Sequence, residues 1–163
     1  MNRNREASRK IALGAVAAAA VTVATMIHMP VPGFRVYFNL GEGVIYVIAL
    51  TLGARYGAVS ASLGAAMADL LLGYPLWAPL TFCIKGVEGF VVGRLAPKGT
   101  ALALAAGATV MIAGYTSAAG LLYGWKAAPV ELVTDLVQTG MGAAFALLFV
   151  PIVRRRLALS EMK

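Results

Sequence analysis

Six apolar stretches, separated by short polar or glycine-rich breaks, dominate the sequence and restrict what it can fold into. Of the 163 residues, 60% are apolar and only 13% are charged, whereas an average soluble domain is about 25% charged. A soluble fold of this length cannot bury so much apolar surface, and a disordered chain would not contain it. The sequence therefore predicts a protein of the lipid bilayer.

The lengths of these stretches predict the architecture. A helix needs about 20 apolar residues to cross a bilayer, so little of the chain remains for any other domain. We predict one all-α transmembrane domain over residues 1–163, with six spans at about 11–29, 40–54, 57–72, 76–93, 101–123 and 129–153. The first span follows basic residues as a signal peptide does, but its length of about 19 residues exceeds the usual apolar region of such a peptide. We interpret it as a retained span.

The distribution of basic residues predicts the orientation. With six spans, one side of the membrane receives eleven Lys and Arg residues, and the other receives only Arg35 and Lys126. Lys85 falls inside a span. Because cytoplasmic loops carry the excess of basic residues, both termini are predicted to be cytoplasmic. The net charge of +7 is thereby explained by topology, and nucleic acid is not a predicted partner.

The first external connection, residues 30–39, has an unusual composition. It begins with Pro and Gly and then becomes β-like at residues 36–38. Phe34, Tyr37 and Phe38 are unusually apolar for a solvated loop tip. Two interpretations stay open: an ordinary exposed loop, and a lid that folds back over the helix bundle.

Ionisable residues inside the spans are the candidates for function. Each costs about 2.5–3.5 kcal/mol at the centre of a spanning helix on insertion scales, so each must face the protein interior or a wet cavity. Those within the spans or near their edges are Glu42, Asp69, Lys85, Glu88, Glu131 and Asp135.

Depth in the membrane groups some of these residues. At 1.5 Å per residue, Lys85, Tyr115 and Gln138 lie at about the same depth on the fourth, fifth and sixth spans, and Asp135 lies one turn above Gln138. An ammonium, a phenol, an amide and a carboxylate in one layer are typical of a pocket for a small polar molecule.

Structural roles are the alternatives to ligand binding. Lys85 and Glu88, at i,i+3, could neutralise each other. Gln138 could join helices together with Thr134 and Thr139. Interfacial anchoring is the alternative role for a group of aromatic residues near the outer edge, namely Tyr74, Trp77, Tyr123 and Trp125.

Small residues and the single cysteine have structural interpretations. Gly14/Ala18 and Ala15/Ala19 on the first span permit close packing, either within the protein or with a partner. The ladder of Gly57, Ala61 and Ala65 on the third span is expected to pack internally.

Cys83 is expected to be a small buried apolar side chain. Asp69 could cap or pair locally, and the isolated His28 is a poor metal candidate.

Several catalytic motifs are absent from the sequence. It contains no Walker A loop, no HExxH and no GxSxG. We therefore predict that the protein is not an enzyme and uses neither a metal nor another cofactor. Uphill transport would need another subunit or an ion gradient as its energy source.

Four motifs point to a family. Residues 38–43 read FNLGEG, residues 52–58 read LGARYGA, residues 64–79 read GAAMADLLLGYPLWAP and residues 85–93 read KGVEGFVVG. Together they resemble the substrate-binding S components of energy-coupling-factor (ECF) vitamin transporters, in the branch of the riboflavin and pyrimidine-precursor types. The motifs cover roughly residues 11–95.

The resemblance implies a fold and partners. It implies a six-helix S component whose first external loop closes a pocket built mainly from the fourth to sixth helices. It also implies docking on the transmembrane EcfT subunit, which carries two cytoplasmic ATPases. An AxxxA motif on the first helix faces EcfT in the family, and Ala15 and Ala19 fit that position. A pyrimidine precursor of thiamine is the first candidate substrate, and riboflavin is the second.

The predicted function is high-affinity binding of a water-soluble vitamin or precursor. Lys85, Tyr115, Asp135 and Gln138 are expected to hydrogen-bond the ligand, with Tyr37 and Phe38 packing over it. The remaining candidate ligand-binding residues are Asn39, Glu42, Trp77 and Glu88. The alternatives are a membrane scaffold or morphogenesis protein, an autonomous proton-coupled carrier that uses Glu88 or Asp135, and an intramembrane enzyme.

Overall fold

Helices form almost the whole structure. A computed structural model describes the backbone of residues 3–30 and 37–161 and the side chains of residues 3–29 and 38–157. Its six α-helices are α1 Arg3–Met26, α2 Gly41–Leu52, α3 Ala54–Leu71, α4 Ala78–Leu95, α5 Thr100–Tyr123 and α6 Ala128–Glu161. A 3-10 turn, Ala96–Lys98, joins α4 to α5. The prediction of six helices in an all-helical fold is confirmed.

The only strands among the described residues are two short ones between α1 and α2. Strand β1, His28–Pro30, pairs antiparallel with β2, Tyr37–Asn39, with Met29 opposite Phe38. The β-like pattern predicted for residues 36–38 is therefore present as strand from residue 37. The first helix ends at Met26, before the predicted end of the first span, because the chain enters β1 there.

Three helices are long and apolar enough to cross a membrane: α1, α5 and residues Ala128–Leu157 of α6. The other three are shorter or more polar. Helix α2 has 12 residues, which corresponds to about 18 Å and is less than the thickness of the hydrocarbon core. The number of complete spans therefore stays a prediction.

A one-residue corner joins α2 to α3. Gly53 has a φ of 85°, which glycine adopts without steric cost. Its N–H bonds to the Ala49 carbonyl, and its own carbonyl accepts the N–H of Gly57. Residues 54–56, predicted to lie between two spans, are thus the first turn of α3.

Helix α2 is the core of the bundle. It packs against α1, α3, α4 and α6, and Ile45, Tyr46 and Ala49 are completely or almost completely buried. A helix that is buried on nearly every side can be apolar all round. The shortest helix is therefore enclosed by the longer ones.

Helices α3 and α4 cross with their backbones in contact. A Cβ on Gly89 would lie 2.3 Å from the carbonyl oxygen of Gly57, and a Cβ on Gly57 would lie 2.5 Å from that of Gly89. Ala61 and Ala65 continue the small-residue ladder into the core. The ladder on the third span therefore packs internally, as expected.

The outward faces of the helices are apolar. On α6 the buried positions recur every three or four residues, and the residues between them, such as Val133, Leu147 and Leu148, are exposed. Exposed apolar faces on long helices suit contact with lipid. The prediction that Cys83 is buried was wrong, because it lies on the exposed face of α4.

Candidate functional site

A cavity between the helices is the candidate site. It contains about 500 Å³ of atom-free space, a figure that includes open solvent at its mouth. All six helices and β2 contribute to its walls. The lining residues are Thr25, Asn39, Ile45, Ala65, Asp69, Trp77, Thr81, Lys85, Met111, Tyr115, Glu131, Asp135 and Gln138.

The four residues predicted to share one layer all line this cavity. Lys85 comes from α4, Tyr115 from α5, and Asp135 and Gln138 from α6. Lys85, Asp135 and Gln138 are buried, as their polarity in an apolar chain requires. The depth of each residue, counted from the end of its helix at a fixed rise, therefore identified residues that line the same cavity.

Lys85 is held by two carboxylates. Its Nζ lies 2.9 Å from Oε2 of Glu88 and also forms an ion pair with Oε2 of Glu42. The Tyr46 hydroxyl donates a hydrogen bond of 3.1 Å to the other oxygen of Glu88. The structure thus contains the Lys85–Glu88 pair that the i,i+3 spacing predicts, and it adds Glu42. Neither carboxylate lines the cavity, so both lie behind Lys85.

The burial of Glu42 could not be predicted from its position near the start of a span. Its side chain packs against Gly142 of α6, where a Cβ would lie 2.6 Å from the Cγ of Glu42. Because Gly142 has no side chain, α6 leaves room for the side chain of Glu42. The available signal was Gly142 itself, which lies one helical turn from Gln138 and two turns from Asp135.

An aromatic group forms another wall. Lys85 Nζ lies 5.4 Å from the centroid of the Tyr115 ring, and the Tyr115 hydroxyl donates to Thr81 Oγ1 at 3.0 Å. Trp77 packs at 5.7 Å from Tyr115 and 5.9 Å from Tyr123, centroid to centroid. With 5% exposure, Trp77 is not an interfacial anchor, because the bend before α4 turns its ring inward.

The end of β2 is fastened to α6 beside the cavity. Gln138 Oε1 accepts two hydrogen bonds from Asn39, one from the main-chain N–H at 2.8 Å and one from Nδ2 at 3.1 Å. Asn39 Oδ1 in turn accepts the N–H of Gly41. The alternative in which Thr134 and Thr139 join helices was wrong, since both hydroxyls bond to carbonyls of their own helix.

The predicted lid is only partly described. Phe34 lies outside the described residues, and only the backbone of Tyr37 is described, as part of β2. Phe38 is half-buried and is not among the lining residues. Closure over the ligand by these aromatic residues therefore stays a prediction.

Three carboxyl groups line the cavity, from Asp69 on α3 and from Glu131 and Asp135 on α6. Within the described residues, Glu131 Oε2 and Asp135 Oδ2 are buried without a hydrogen-bond partner. No group of three His, Cys, Asp or Glu side chains in this part of the chain is arranged to hold a metal ion. The buried oxygens of Glu131 and Asp135 are therefore available to a ligand.

Some of the lining residues were not predicted from the sequence, namely Thr25, Ile45, Thr81 and Met111. Thr81 lies four residues before Lys85 and therefore on the same helix face, which was a usable signal. Nothing in the sequence alone distinguished Thr25, Ile45 and Met111 from other residues of their spans.

The two small-residue pairs on α1 have different surroundings. Ala15 and Ala19 are exposed. The carbonyl of Ala18 packs against α3, 2.5 Å from where a Cβ on Gly64 would be, whereas Gly14 has no atom of another described residue within 4 Å of its own Cβ position. Only the Ala15/Ala19 pair is therefore fully open to a partner.

Comparison with known proteins gives three matches. Residues 6–155 match the family model described as ECF-type riboflavin transporter, S component. A protein of Pyrococcus woesei, described as an uncharacterized protein in the gap 3′ region, is 40% identical over 130 residues, which are 76% of this chain and 86% of that protein. The thiamine precursor transporter HmpT of Lactococcus lactis subsp. cremoris (strain MG1363) is 29% identical over 128 residues, which are 77% of this chain and 75% of HmpT.

Proposed function

The chain belongs to the S component family of ECF-type riboflavin transporters, and from this premise we propose that it binds a water-soluble vitamin or vitamin precursor for uptake. S components are multi-pass membrane subunits of transporters and are in general not enzymes. The observation that carries the proposal is the cavity, in which Lys85, Tyr115, Asp135 and Gln138 meet.

A pyrimidine precursor of thiamine is the substrate that we propose first. The similarity to HmpT, whose name specifies a thiamine precursor, supports it. The aromatic wall of Trp77 and Tyr115 suits a small planar ring, and Asp135 and Gln138 suit its polar substituents. Riboflavin is the second candidate, supported by the description of the family.

Energy coupling is proposed to come from partner subunits. The family resemblance implies an EcfT subunit with two cytoplasmic ATPases, and the chain itself contains no Walker A sequence. The exposed Ala15 and Ala19 of α1 are the proposed contact surface for EcfT. Small residues suit this role because they let two helix backbones approach closely.

We also propose that all six helices are membrane-embedded, with both termini on the cytoplasmic side of a prokaryotic membrane. The eleven-to-two bias of basic residues supports this orientation. Labelling of single cysteines, introduced together with Cys83→Ser, in intact cells with a membrane-impermeant maleimide is the test. A cysteine at Lys126 should react and one at Lys98 should not; the reverse pattern would refute the orientation.

The function has a direct test. The chain should be purified alone in mild detergent, and any retained compound should be extracted and identified by mass spectrometry. Titration calorimetry with thiamine, hydroxymethylpyrimidine and riboflavin should then show saturable binding of one class. In proteoliposomes we expect uptake only when EcfT, both ATPases and ATP are present.

Each alternative function predicts a different result. A scaffold would bind none of these compounds, and repeated preparations would contain none. An autonomous carrier would transport without the ATPases and would depend on a proton gradient. Either result would contradict the proposed function.

A further inference from the structure

The ion cluster behind the cavity contains more acidic groups than basic ones. Glu42 and Glu88 share the single ammonium group of Lys85, whose Nζ lies 2.9 Å from Oε2 of Glu88 and also contacts Oε2 of Glu42. The three side chains are 5% exposed or less, and neither carboxyl group lines the cavity. If both carboxyl groups were ionised, two negative charges would face one positive charge, and one negative charge would stay unbalanced.

No second cation balances that charge within the part of the chain whose side chains the structure describes. Lys85 is the only buried Lys or Arg there, and every other one is exposed. Tyr46, which donates to Oε1 of Glu88 at 3.1 Å, is an uncharged phenol. An unpaired carboxylate in an apolar core is so unfavourable that such a group takes up a proton instead.

The groups that face the cluster from across the cavity do not supply the missing positive charge either. They are acidic, phenolic or uncharged, and each comes from a different wall of the bundle. Their members are Thr25 of α1, Asp69 of α3, Tyr115 of α5, and Glu131 and Asp135 of α6. A cation from a neighbouring helix therefore does not balance the cluster.

The two carboxyl groups of the cluster also meet each other. The side chains of Glu42 and Glu88 are within hydrogen-bonding reach, and Oε1 of Glu42 is buried without a hydrogen-bond donor among the described residues. Two ionised carboxylates repel each other, and neither has a proton to donate. A single proton on the pair removes the repulsion and supplies the donor that the pair lacks.

We infer that Glu42 and Glu88 together hold one proton, so that the buried cluster is a neutral unit of one ammonium, one carboxylate and one carboxylic acid. The role of this proton is structural, because neither carboxyl group opens into the cavity. It therefore differs from a proton that a carrier exchanges along its substrate path. The inference does not depend on which compound the cavity binds.

Infrared spectroscopy of the purified protein at neutral pH tests the inference, because the C=O stretch of a carboxylic acid is separated from the bands of carboxylate and amide groups. A heavy carbon isotope in the carboxyl groups of glutamate shifts their bands away from those of aspartate. The reference protein carries Glu131→Gln, which removes the one other buried glutamate in the described part of the chain. We expect this protein to show a carboxylic acid band from glutamate.

Substitutions in this reference protein give a distinctive pattern. In Glu42→Gln and in Glu88→Gln alike, the carboxyl group that is left becomes the only partner of Lys85 and should ionise. Both variants should therefore lose the band completely, although each keeps one of the two glutamates. Glu6→Gln removes a glutamate from an exposed position on α1 and should keep the band.

Two results would overturn the inference: a reference protein without the band, or a band that survives in either cluster variant. Should a cluster variant not fold, the reference spectrum still decides, because Glu42 and Glu88 are the only buried glutamates left in its described part. Ligand binding is measured separately by calorimetry, so this inference and the proposed function can fail independently.

A bound monovalent metal ion is the other way to balance the cluster. Such an ion would leave both carboxyl groups ionised, so no carboxylic acid band would appear. The unfolding temperature would then rise when Na⁺ or K⁺ replaces a bulky organic cation at constant ionic strength, because a ligand that binds only the folded state stabilises it. We expect the same unfolding temperature in all three salts. A rise without the band would assign the site to a metal ion and refute the bound proton.

Discussion

Replacing Lys85 by Met is expected to destabilise the fold by about 3–5 kcal/mol, the cost of removing one partner from a buried ion pair. The substitution leaves Glu42 and Glu88 facing each other without the ammonium that now lies between them. Both carboxylates are almost completely buried, so negative charge on them is poorly solvated once the ammonium is removed. Thermal unfolding of the purified protein in detergent would measure the loss.

Two further variants separate charge from packing. Lys98→Met removes an exposed lysine and should change the unfolding temperature little. Adding Glu42→Gln and Glu88→Gln to Lys85→Met removes the uncompensated charges and should restore most of the stability, since neutral replacement of a whole buried ion pair is often tolerated. If Lys85→Met alone unfolds at the temperature of the unmodified protein, the ion cluster does not stabilise the fold.

A single added methyl group at Gly89 is the second change with a large expected effect. The Cβ of Gly89→Ala would lie 2.3 Å from the carbonyl oxygen of Gly57, and a backbone atom cannot rotate away as a flexible side chain can. Helices α3 and α4 would have to separate along their crossing. We expect the free energy of unfolding to fall by about 1–3 kcal/mol, which is typical of overpacking. Thermal unfolding would measure this change.

The chain offers a matched control for this substitution. Gly140 lies in the interior of α6, and no atom of another described residue is within 4 Å of its Cβ position. Gly140→Ala should therefore be neutral or should stabilise the fold by up to about 1 kcal/mol, because alanine favours helix more than glycine does. Equal effects of the two substitutions would show that contact at the crossing is not the cause.

Hydropathy and depth predicted much of the architecture and part of the site. Apolar stretches predict helices reliably in a bilayer, where each backbone polar group must bond internally. The fixed rise of a helix then gives the depth of each residue, and this placed Lys85, Tyr115 and Gln138 at one level. The structure brings the same three residues to one cavity.

Rotation of a helix about its own axis was not predictable in this way. Depth does not tell which neighbour a side chain faces, so the contact between Glu42 and Lys85, 43 residues apart, was missed. The same gap explains the exposed thiol of Cys83, whereas the inward ring of Trp77 follows from the bend before α4. Helix α2 was predicted, as the span at about 40–54, but its enclosure by other helices was not, because a helix buried on nearly every side has the same all-round apolar pattern as a helix in lipid.

The placement of the two tryptophans provides an intrinsic optical reporter. Trp77 is 5% exposed and lines the cavity, whereas Trp125 is 69% exposed after the end of α5. In a Trp125→Phe background, indole emission would come from the cavity wall alone. Quenching by a bound ring could then be followed in real time, so that ligand association and dissociation become measurable in unlabelled protein within a membrane.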